Sequence, residues 1–173
     1  DSVTDYDIVV LGGGPGGYAT ALYAASAGQK VALVEKQTVG GTCLHRGCIP
    51  AKALLQAAEV FRTVHHASEF GIGLGKGAKP AADWQAVNKR KSGIVSNLHK
   101  GLSGLLKRRK ITVVNGFGTL TPDGAVAVDG EMISGGAVII CAGSEPRSLP
   151  GLEVDGERIV TSDQATNSDA DAL

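Results

Sequence analysis

Apolar positions near the start of the chain fall into two short uninterrupted runs with a segment of small residues between them. Residues 8–11 and 31–34 each show the pattern of a strand buried on both faces. The segment between them is rich in alanine, which favours helix, and Gly28 is a suitable helix end. These residues therefore predict a βαβ unit of about 30 residues, which ends at Glu35.

Two further helices are predicted downstream of this unit. Apolar residues at helical spacing indicate a helix from near Cys48 or Pro50 to about Val64. A glycine-rich loop follows, and apolar residues then recur every three or four positions from Trp84 to Leu105, which indicates a long amphipathic helix. Its lysines and arginines are expected mainly on the other face.

The remaining pattern predicts strands. Residues 111–114 indicate a third strand, and residues 137–142 indicate a further, buried strand. Turn sequences at 121–124 and 129–130 separate short runs between them, which favours a small antiparallel meander. The order of elements predicts the α/β class, with a central parallel sheet and flanking helices.

Composition excludes some classes of protein. The 173 residues include 43% hydrophobic side chains, which suits one folded domain rather than a disordered chain. No apolar run reaches the ~18 residues of a membrane span, and no basic start suggests a signal peptide, so we expect a cytoplasmic protein without a membrane partner.

Charge is balanced overall, at 17 basic and 17 acidic side chains, but it is unevenly distributed. Residues 84–122 contain no acid, whereas residues 123–173 are strongly acidic. The basic segment lacks interleaved aromatic residues, so a solvated helix face explains it better than a nucleic-acid surface. No nucleic-acid partner is expected.

Three glycines lie between the first predicted strand and the first predicted helix. Gly12, Gly14 and Gly17 give the spacing G-x-G-x-x-G: the first permits a tight turn, the second lets backbone approach a pyrophosphate and the third allows close helix packing. Glu35 ends the next predicted strand, where a carboxylate can accept hydrogen bonds from ribose hydroxyls. This pattern indicates an adenine dinucleotide site and does not decide between FAD and NAD.

A second motif contains two of the three cysteines. Residues 40–52 read GGTCLHRGCIPAK, with four residues between Cys43 and Cys48. The segment resembles the motif G-G-T-C-x-x-x-x-G-C-x-P of the pyridine nucleotide-disulfide oxidoreductases, and the similarity runs through essentially the whole chain. Within that family, the continuation KALL is most similar to the dihydrolipoyl dehydrogenase branch.

The resemblance implies roles for individual residues. Cys43 and Cys48 are expected to form a redox-active disulfide, in which Cys43 exchanges with substrate and Cys48 faces the flavin. Lys52 lies one helical turn after Cys48, where its charge favours a thiolate or a reduced flavin. Residues five apart in a regular helix have Cα atoms ~8.7 Å apart, more than the ~7 Å that a disulfide spans, so Gly47 and Pro50 are expected to interrupt the helix. The expected cofactor-binding residues are Gly12, Gly14, Pro15, Gly17, Glu35, Lys36, Gly41, Thr42, Cys43, Lys52, Gly118, Ala142, Gly143 and Ser144.

The same resemblance implies the domain organisation. Residues 1–145 are expected to form a Rossmann-like FAD-binding domain with a small antiparallel β-meander, and residues 146–173 a connector toward an NAD-binding domain that the chain lacks. The sequence departs from the family pattern in that His45 replaces the commoner asparagine, Ala51 replaces serine or threonine, and Ala142 replaces threonine.

The implied activity is that of an FAD-dependent disulfide oxidoreductase. Dihydrolipoamide, carried by a lipoyl domain of a 2-oxo acid dehydrogenase complex or of the glycine cleavage system, would reduce the disulfide, and electrons would pass through FAD to NAD. The full-length enzyme is expected to be a homodimer, and this shorter chain is not expected to turn over alone. Alternatives are a flavin-binding module without activity of its own, or a sibling reductase acting on glutathione or mercuric ion.

A zinc site is the competing use of the cysteine segment. Cys43, His45 and Cys48 could supply ligands, but their spacing differs from paired C-x-x-C sites and no second ligand pair exists. No metal site is therefore expected. His99 lies among polar positions of the long predicted helix, where the sequence suggests no partner for it.

Overall fold

The computed structural model describes residues 5–75 and 77–167. The chain forms seven strands and five helices within the described residues, which agrees with the predicted α/β class. The strands are β1 (Tyr6–Leu11), β2 (Val31–Glu35), β3 (Thr112–Asn115), β4 (Gly118–Leu120), β5 (Val126–Val128), β6 (Glu131–Ile133) and β7 (Gly135–Ile140). The helices are α1 (Pro15–Ser26), α2 (Gly41–His45), α3 (Cys48–His65), α4 (Trp84–Arg108) and α5 (Ser162–Asn167), with a 3₁₀ turn at Ala67–Phe70.

The described chain divides into two compact units. The first contains the described residues up to His45 together with Asn97–Arg147, and the second contains Arg46–Ser96 together with the described residues from Ser148 onward. The division falls inside α4. The expected domain of residues 1–145 with a connector after it stays a prediction.

A four-stranded parallel sheet forms the centre of the first unit, in the order β3-β2-β1-β7. In this register Val9 of β1 lies opposite Ala32 of β2 and Val138 of β7. The two strands of the βαβ unit are central in the sheet, and β2 is buried throughout, which confirms what its apolar run predicted. The core on the two faces of the sheet contains Val10, Ala21, Leu33, Leu106 and Ile111 on one side and Val9, Ala32, Val34, Val126 and Val128 on the other.

The predicted antiparallel meander is present. Strands β4, β5 and β6 form a three-stranded sheet in sequence order. Thr121 holds the first turn through hydrogen bonds with the Ala125 backbone, and Asp129 and Gly130 adopt positive φ angles of 50° and 88° in the second. Turn residues tolerant of left-handed backbone therefore fall where two-residue hairpins require them.

Strand β7 corrects one sequence-based expectation. Residues 137–142 are predicted as a buried strand, but β7 lies at the edge of the parallel sheet and ends at Ile140. The Ile140 side chain is 60% exposed and Ala137 is exposed as well. An apolar run indicates a strand, but burial depends on what covers it, and only part of β7 is covered, since Val138 packs against the core while Ile140 is exposed.

Helix α5 of the second unit lies in the segment after residue 145. Helix α5 contacts α3, and Thr166 of α5 donates a hydrogen bond to the carbonyl oxygen of Arg46 at 2.6 Å. Lys91 donates to the Thr166 carbonyl at 2.7 Å and is only 5% exposed, so the expected solvation of the basic face of α4 is wrong at this position. Side-chain hydrogen bonds thus connect Thr166 of α5 to two separated segments of the second unit.

A turn in the same segment is held by an exposed carboxylate. Asp155 accepts hydrogen bonds from the backbone N–H groups of Glu157, Arg158 and Ile159. The bonds from Glu157, Ile159 and Arg158 lower the pKa of this carboxyl group, because they favour its charged form.

Among residues 5–75 and 77–167, no helix has the length and apolar character needed to cross a bilayer.

Two leucines of α4 provide a test of this core. Leu106 is 1% exposed, whereas Leu98 is 46% exposed on the same helix. We expect Leu106→Ala to lower the free energy of unfolding by about 2–5 kcal/mol, because the truncation leaves a cavity. Leu98→Ala should cost less than about 1 kcal/mol. Urea unfolding of both variants measures the difference, and equal losses would contradict the assigned packing.

Candidate functional site

Several predicted cofactor residues of the first unit lie at the carboxyl end of the parallel sheet. Strands β1, β2, β3 and β7 all end there, and Glu35 is the last residue of β2. The segments that follow the strands contain the glycine turn, Gly118 and residues 142–144. The chain leaves β1 toward β2 on one side and returns to β7 on the other. Such a reversal of strand order leaves a crevice at the carboxyl ends, where α/β folds bind ligands.

The glycine turn after β1 has no room for side chains. Gly12 has φ +105°, and a Cβ atom on it would collide with the carbonyl group of Cys141. A Cβ atom on Gly17 would collide with the carbonyl oxygen of Gly12. Two of the three fingerprint glycines are therefore required by the backbone itself, as the motif predicts.

Glu35 braces this turn from the end of β2. The side chain is 8% exposed, and its Oε2 accepts a hydrogen bond from the Gly13 N–H at 2.7 Å. Its Oε1 accepts one from the Gln37 N–H at 2.8 Å. Each carboxylate oxygen keeps a further lone pair, so two backbone bonds leave capacity to accept from a ligand hydroxyl.

The N-terminus of α1 is open toward the same crevice. Gly14 is the N-cap residue, Pro15 occupies the first helical position, and no side chain caps the helix or places an acid in its first turn. The first N–H groups of a helix lack partners within it, and the helix dipole favours negative charge there. This end of α1 can therefore hold a phosphate group.

The start of the cysteine segment lies directly against the glycine turn. Gly41 has φ +59°, and a Cβ atom on it would come within 2.6 Å of the Gly14 Cα atom. The backbone also connects the two segments, because the Gly40 N–H donates to the Gly13 carbonyl at 2.8 Å. Thr42 and Cys43 follow on α2, and the Thr42 side chain is exposed.

The other predicted cofactor residues of the first unit occupy varied surroundings. Lys36 forms an ion pair with Glu145 at 2.8 Å. Gly118 is packed, since a Cβ atom on it would meet the side chains of Leu11 and Val34. Its lack of a side chain thus has a packing reason. Exposed positions after β7 are occupied by Ala142, Gly143 and Ser144.

The three cysteines form the disulfide that the resemblance implied and one free thiol. Cys43 and Cys48 are disulfide-bonded, and Cys141 is a free, half-buried thiol. The helix is interrupted between the bonded pair: α2 ends at His45 and α3 begins at Cys48, after Gly47 with φ −122° and ψ −100°.

The start of α3 contains Cys48, Pro50 and Lys52. Pro50 does not interrupt the helix as expected: it is buried in the first turn of α3, where its missing N–H costs no hydrogen bond. Cys48 and Lys52 are four residues apart on α3 and are both exposed, which agrees with a shared helical face. Within the described residues, no group of three histidine, cysteine or acidic side chains converges in a way that could hold a metal ion.

Comparison with known proteins shows to which family the chain belongs. The family profile described as pyridine nucleotide-disulphide oxidoreductase matches residues 6–172. The chain belongs to this family. Its Rossmann-like fold and its disulfide are those expected of a flavoprotein oxidoreductase of this kind.

The similar curated proteins all come from one branch of this family. The chain is 44% identical over 175 residues to a dihydrolipoyl dehydrogenase of Bacillus subtilis, covering 94% of this chain and 36% of that protein. It is 45% identical to the dihydrolipoyl dehydrogenase of Chlamydia trachomatis, covering 88% of this chain and 33% of the relative. For the Acholeplasma laidlawii dihydrolipoyl dehydrogenase the identity is 42%, covering 94% and 49%. The chain thus spans about a third to a half of the length of these relatives.

The structure also identifies polar residues that sequence reasoning missed. His99 has a partner, the Val39 carbonyl, which His45 also contacts. Thr166 and Lys91 connect separated parts of the second unit. No local pattern announces such pairs, because their partners lie 60 or more residues away for His99, Lys91 and Thr166.

The crowding at Gly17 gives a testable prediction. We expect Gly17→Ala to lower the free energy of unfolding by at least about 1–3 kcal/mol, because the added methyl group must displace the Gly12 backbone. Gly101→Ala is the matched control, since Gly101 lies within α4 with nothing near its Cβ position. That change should stabilise by about 0.5–1 kcal/mol. Urea unfolding measures both, and a neutral Gly17→Ala would contradict the turn geometry.

The cysteine pairing predicts a thiol count. Denatured but unreduced protein should react with a thiol reagent at one cysteine per chain, Cys141, and reduced protein at three. Cys141→Ser should change these counts to none and two. A different count in the unreduced protein, or any reactive thiol in unreduced Cys141→Ser, would show that Cys43 and Cys48 do not pair with each other.

Proposed function

We propose that this chain is the FAD-binding, disulfide-carrying part of a dihydrolipoyl dehydrogenase. The observation that carries the proposal is the contact of the cysteine segment with the dinucleotide turn, where Gly41 lies against Gly14. A redox disulfide and a flavin must be neighbours for electrons to pass between them. The similarity to three dihydrolipoyl dehydrogenases supports this branch over a glutathione or mercuric reductase.

The described residues fit FAD as the cofactor. The open N-terminus of α1 and the side-chain-free turn from Gly12 to Gly17 would hold the pyrophosphate. Glu35 would accept hydrogen bonds from ribose hydroxyls with its remaining lone pairs. Further binding residues are proposed at Pro15, Lys36, Gly41, Thr42, Cys43, Lys52, Gly118, Ala142, Gly143 and Ser144.

The chemistry proposed for the cysteines is thiol–disulfide exchange. A thiolate of dihydrolipoamide attacks Cys43 Sγ, the bond to Cys48 breaks, and Cys48 leaves as a thiolate. The second substrate thiol then attacks the mixed disulfide, which releases lipoamide and leaves Cys43 as a thiol or thiolate. Lys52, one turn after Cys48, would favour the Cys48 thiolate by its positive charge. When bound, FAD would accept the two electrons from the dithiol and deliver them to NAD.

The partners proposed for the whole protein follow from this reaction. They are dihydrolipoamide on a lipoyl domain of a 2-oxo acid dehydrogenase complex or of the glycine cleavage system, NAD as co-substrate, and a second copy of the enzyme. The cytoplasmic location stays a prediction. A flavin-binding module without activity of its own is the second candidate.

A charge change at the start of α1 tests FAD binding separately from folding. Gly16 is exposed in the first turn of α1, and a Cβ atom there meets only Cys141 atoms at 3.7–4.0 Å. Gly16→Glu should leave stability intact, because an acid suits a helix N-terminus. It should weaken FAD binding about tenfold or more by repelling the pyrophosphate. Gly16→Gln, which adds similar bulk without charge, is the matched control.

Flavin fluorescence during titration of the purified chain measures the affinities in this experiment. Failure of the unmodified chain to bind FAD would overturn the cofactor proposal. Equal affinity of the Glu and Gln variants would overturn the assignment of the pyrophosphate to this helix end.

Reduction of the disulfide tests the substrate. Dihydrolipoamide should generate two new thiols per chain, with one lipoamide formed for each pair, and Cys43→Ser should abolish this. Glutathione at equal thiol concentration should react more slowly. A faster reaction with glutathione would favour the sibling reductases, and no reaction with either would favour a redox-inert flavin module.

A further inference from the structure

Two histidines meet at one backbone carbonyl beside the redox cysteine. The Nε2 atom of His45 lies 2.9 Å from the Val39 carbonyl oxygen, and the Nδ1 atom of His99 lies 3.3 Å from the same oxygen. The two rings pack edge to face with centroids 5.3 Å apart, and both residues are half-buried. A carbonyl oxygen has two lone pairs, so it can accept from both rings at once.

The His45 bond closes a small ring of chain around Cys43. His45 lies two residues after Cys43 at the end of α2, and its side chain turns back to the residue that precedes Gly40. Space inside this ring is filled, because a Cβ atom on Gly40 would come within 3.0 Å of the His45 ring. The backbone position of Cys43 is therefore coupled to the bond between His45 and Val39.

His99 connects this ring to a rigid element. It lies on α4, and the Ser103 hydroxyl one turn later lies 3.5 Å from its Nε2 atom. One proton arrangement satisfies all three contacts: His45 donates from Nε2, His99 donates from Nδ1, and Ser103 donates to His99 Nε2. Helix α4 thereby anchors the Val39 carbonyl from outside the ring.

We propose that His45 and His99 are positioning residues that hold Cys43 in place while the disulfide is open. This inference rests on the proposed redox cycle. In the oxidised protein the covalent bond itself restrains Cys43 relative to Cys48. After reduction that restraint is gone, and the His45 and His99 bonds to Val39 keep α2 in the geometry from which the disulfide can reform.

The proposal predicts a change in redox equilibrium. Without the His99 bond, the dithiol form gains more conformational freedom than the cross-linked form. The equilibrium constant for forming the disulfide, measured against a glutathione buffer, should then fall by about threefold to tenfold in His99→Ala. A tenfold fall corresponds to about 30 mV toward a less negative potential for a two-electron couple. His45→Ala should cause a similar shift.

Rescue and control variants separate this role from general destabilisation. His99→Gln keeps an N–H donor that can reach the carbonyl and should recover most of the potential. His65→Ala, at the exposed end of α3, is the matched histidine control and should leave the potential unchanged. The double variant His45→Ala/His99→Ala should deviate from additivity, because both residues act through one carbonyl.

The outcomes distinguish this inference from the proposed function. An unchanged potential in His45→Ala and His99→Ala, or an equal shift in His65→Ala, would overturn the positioning role. The glutathione titration needs neither flavin nor dihydrolipoamide, so failure of the unmodified chain to react with dihydrolipoamide would overturn the substrate proposal instead. Far-UV circular dichroism of each variant verifies that it is folded.

Discussion

The hydrogen bond from the Gly13 N–H to the buried Glu35 carboxylate is the contact on which the dinucleotide turn depends. It joins the segment after β1 to the end of β2, so the turn is held by the register of two parallel strands. A buried carboxylate without donors would cost several kcal/mol, and the Gly13 and Gln37 N–H groups remove that penalty. The same bond leaves Glu35 oriented at the crevice with unused acceptor capacity.

Close backbone approach connects this turn to the redox chemistry. Gly12, Gly17 and Gly41 lie where a methyl group would collide with neighbouring backbone, and the Gly41 contact with Gly14 is the one that joins the start of the cysteine segment to the turn. The glycine content of the chain is therefore partly a requirement of packing two backbone segments together. After Cys43 in the chain, side chains rather than backbone make the close contacts, because His45 and His99 both contact the Val39 carbonyl.

Elements specified by local pattern were predictable, whereas burial was not always so. The runs at 8–11 and 31–34 became β1 and β2, and the helical spacing from Trp84 became α4. Strand β7 formed from an equally apolar run but lies at a sheet edge, since edge position depends on strand order and not on composition. Lys91 was expected in solvent, and it is buried because Thr166 of α5 offers a carbonyl to it.

The sequence by itself determined the chemistry available to this protein: a dinucleotide fingerprint, an acid at the next strand end and a cysteine pair with the helix break at Gly47 between its members. Each is a short-range pattern, because turn geometry, strand ends and helix breaks depend on neighbouring residues. Only the tertiary structure decided that the cysteine segment lies against the glycine turn and that His99 shares the Val39 carbonyl with His45. Those contacts join residues far apart in the chain, and the parallel register of the sheet and the packing of α4 bring them together.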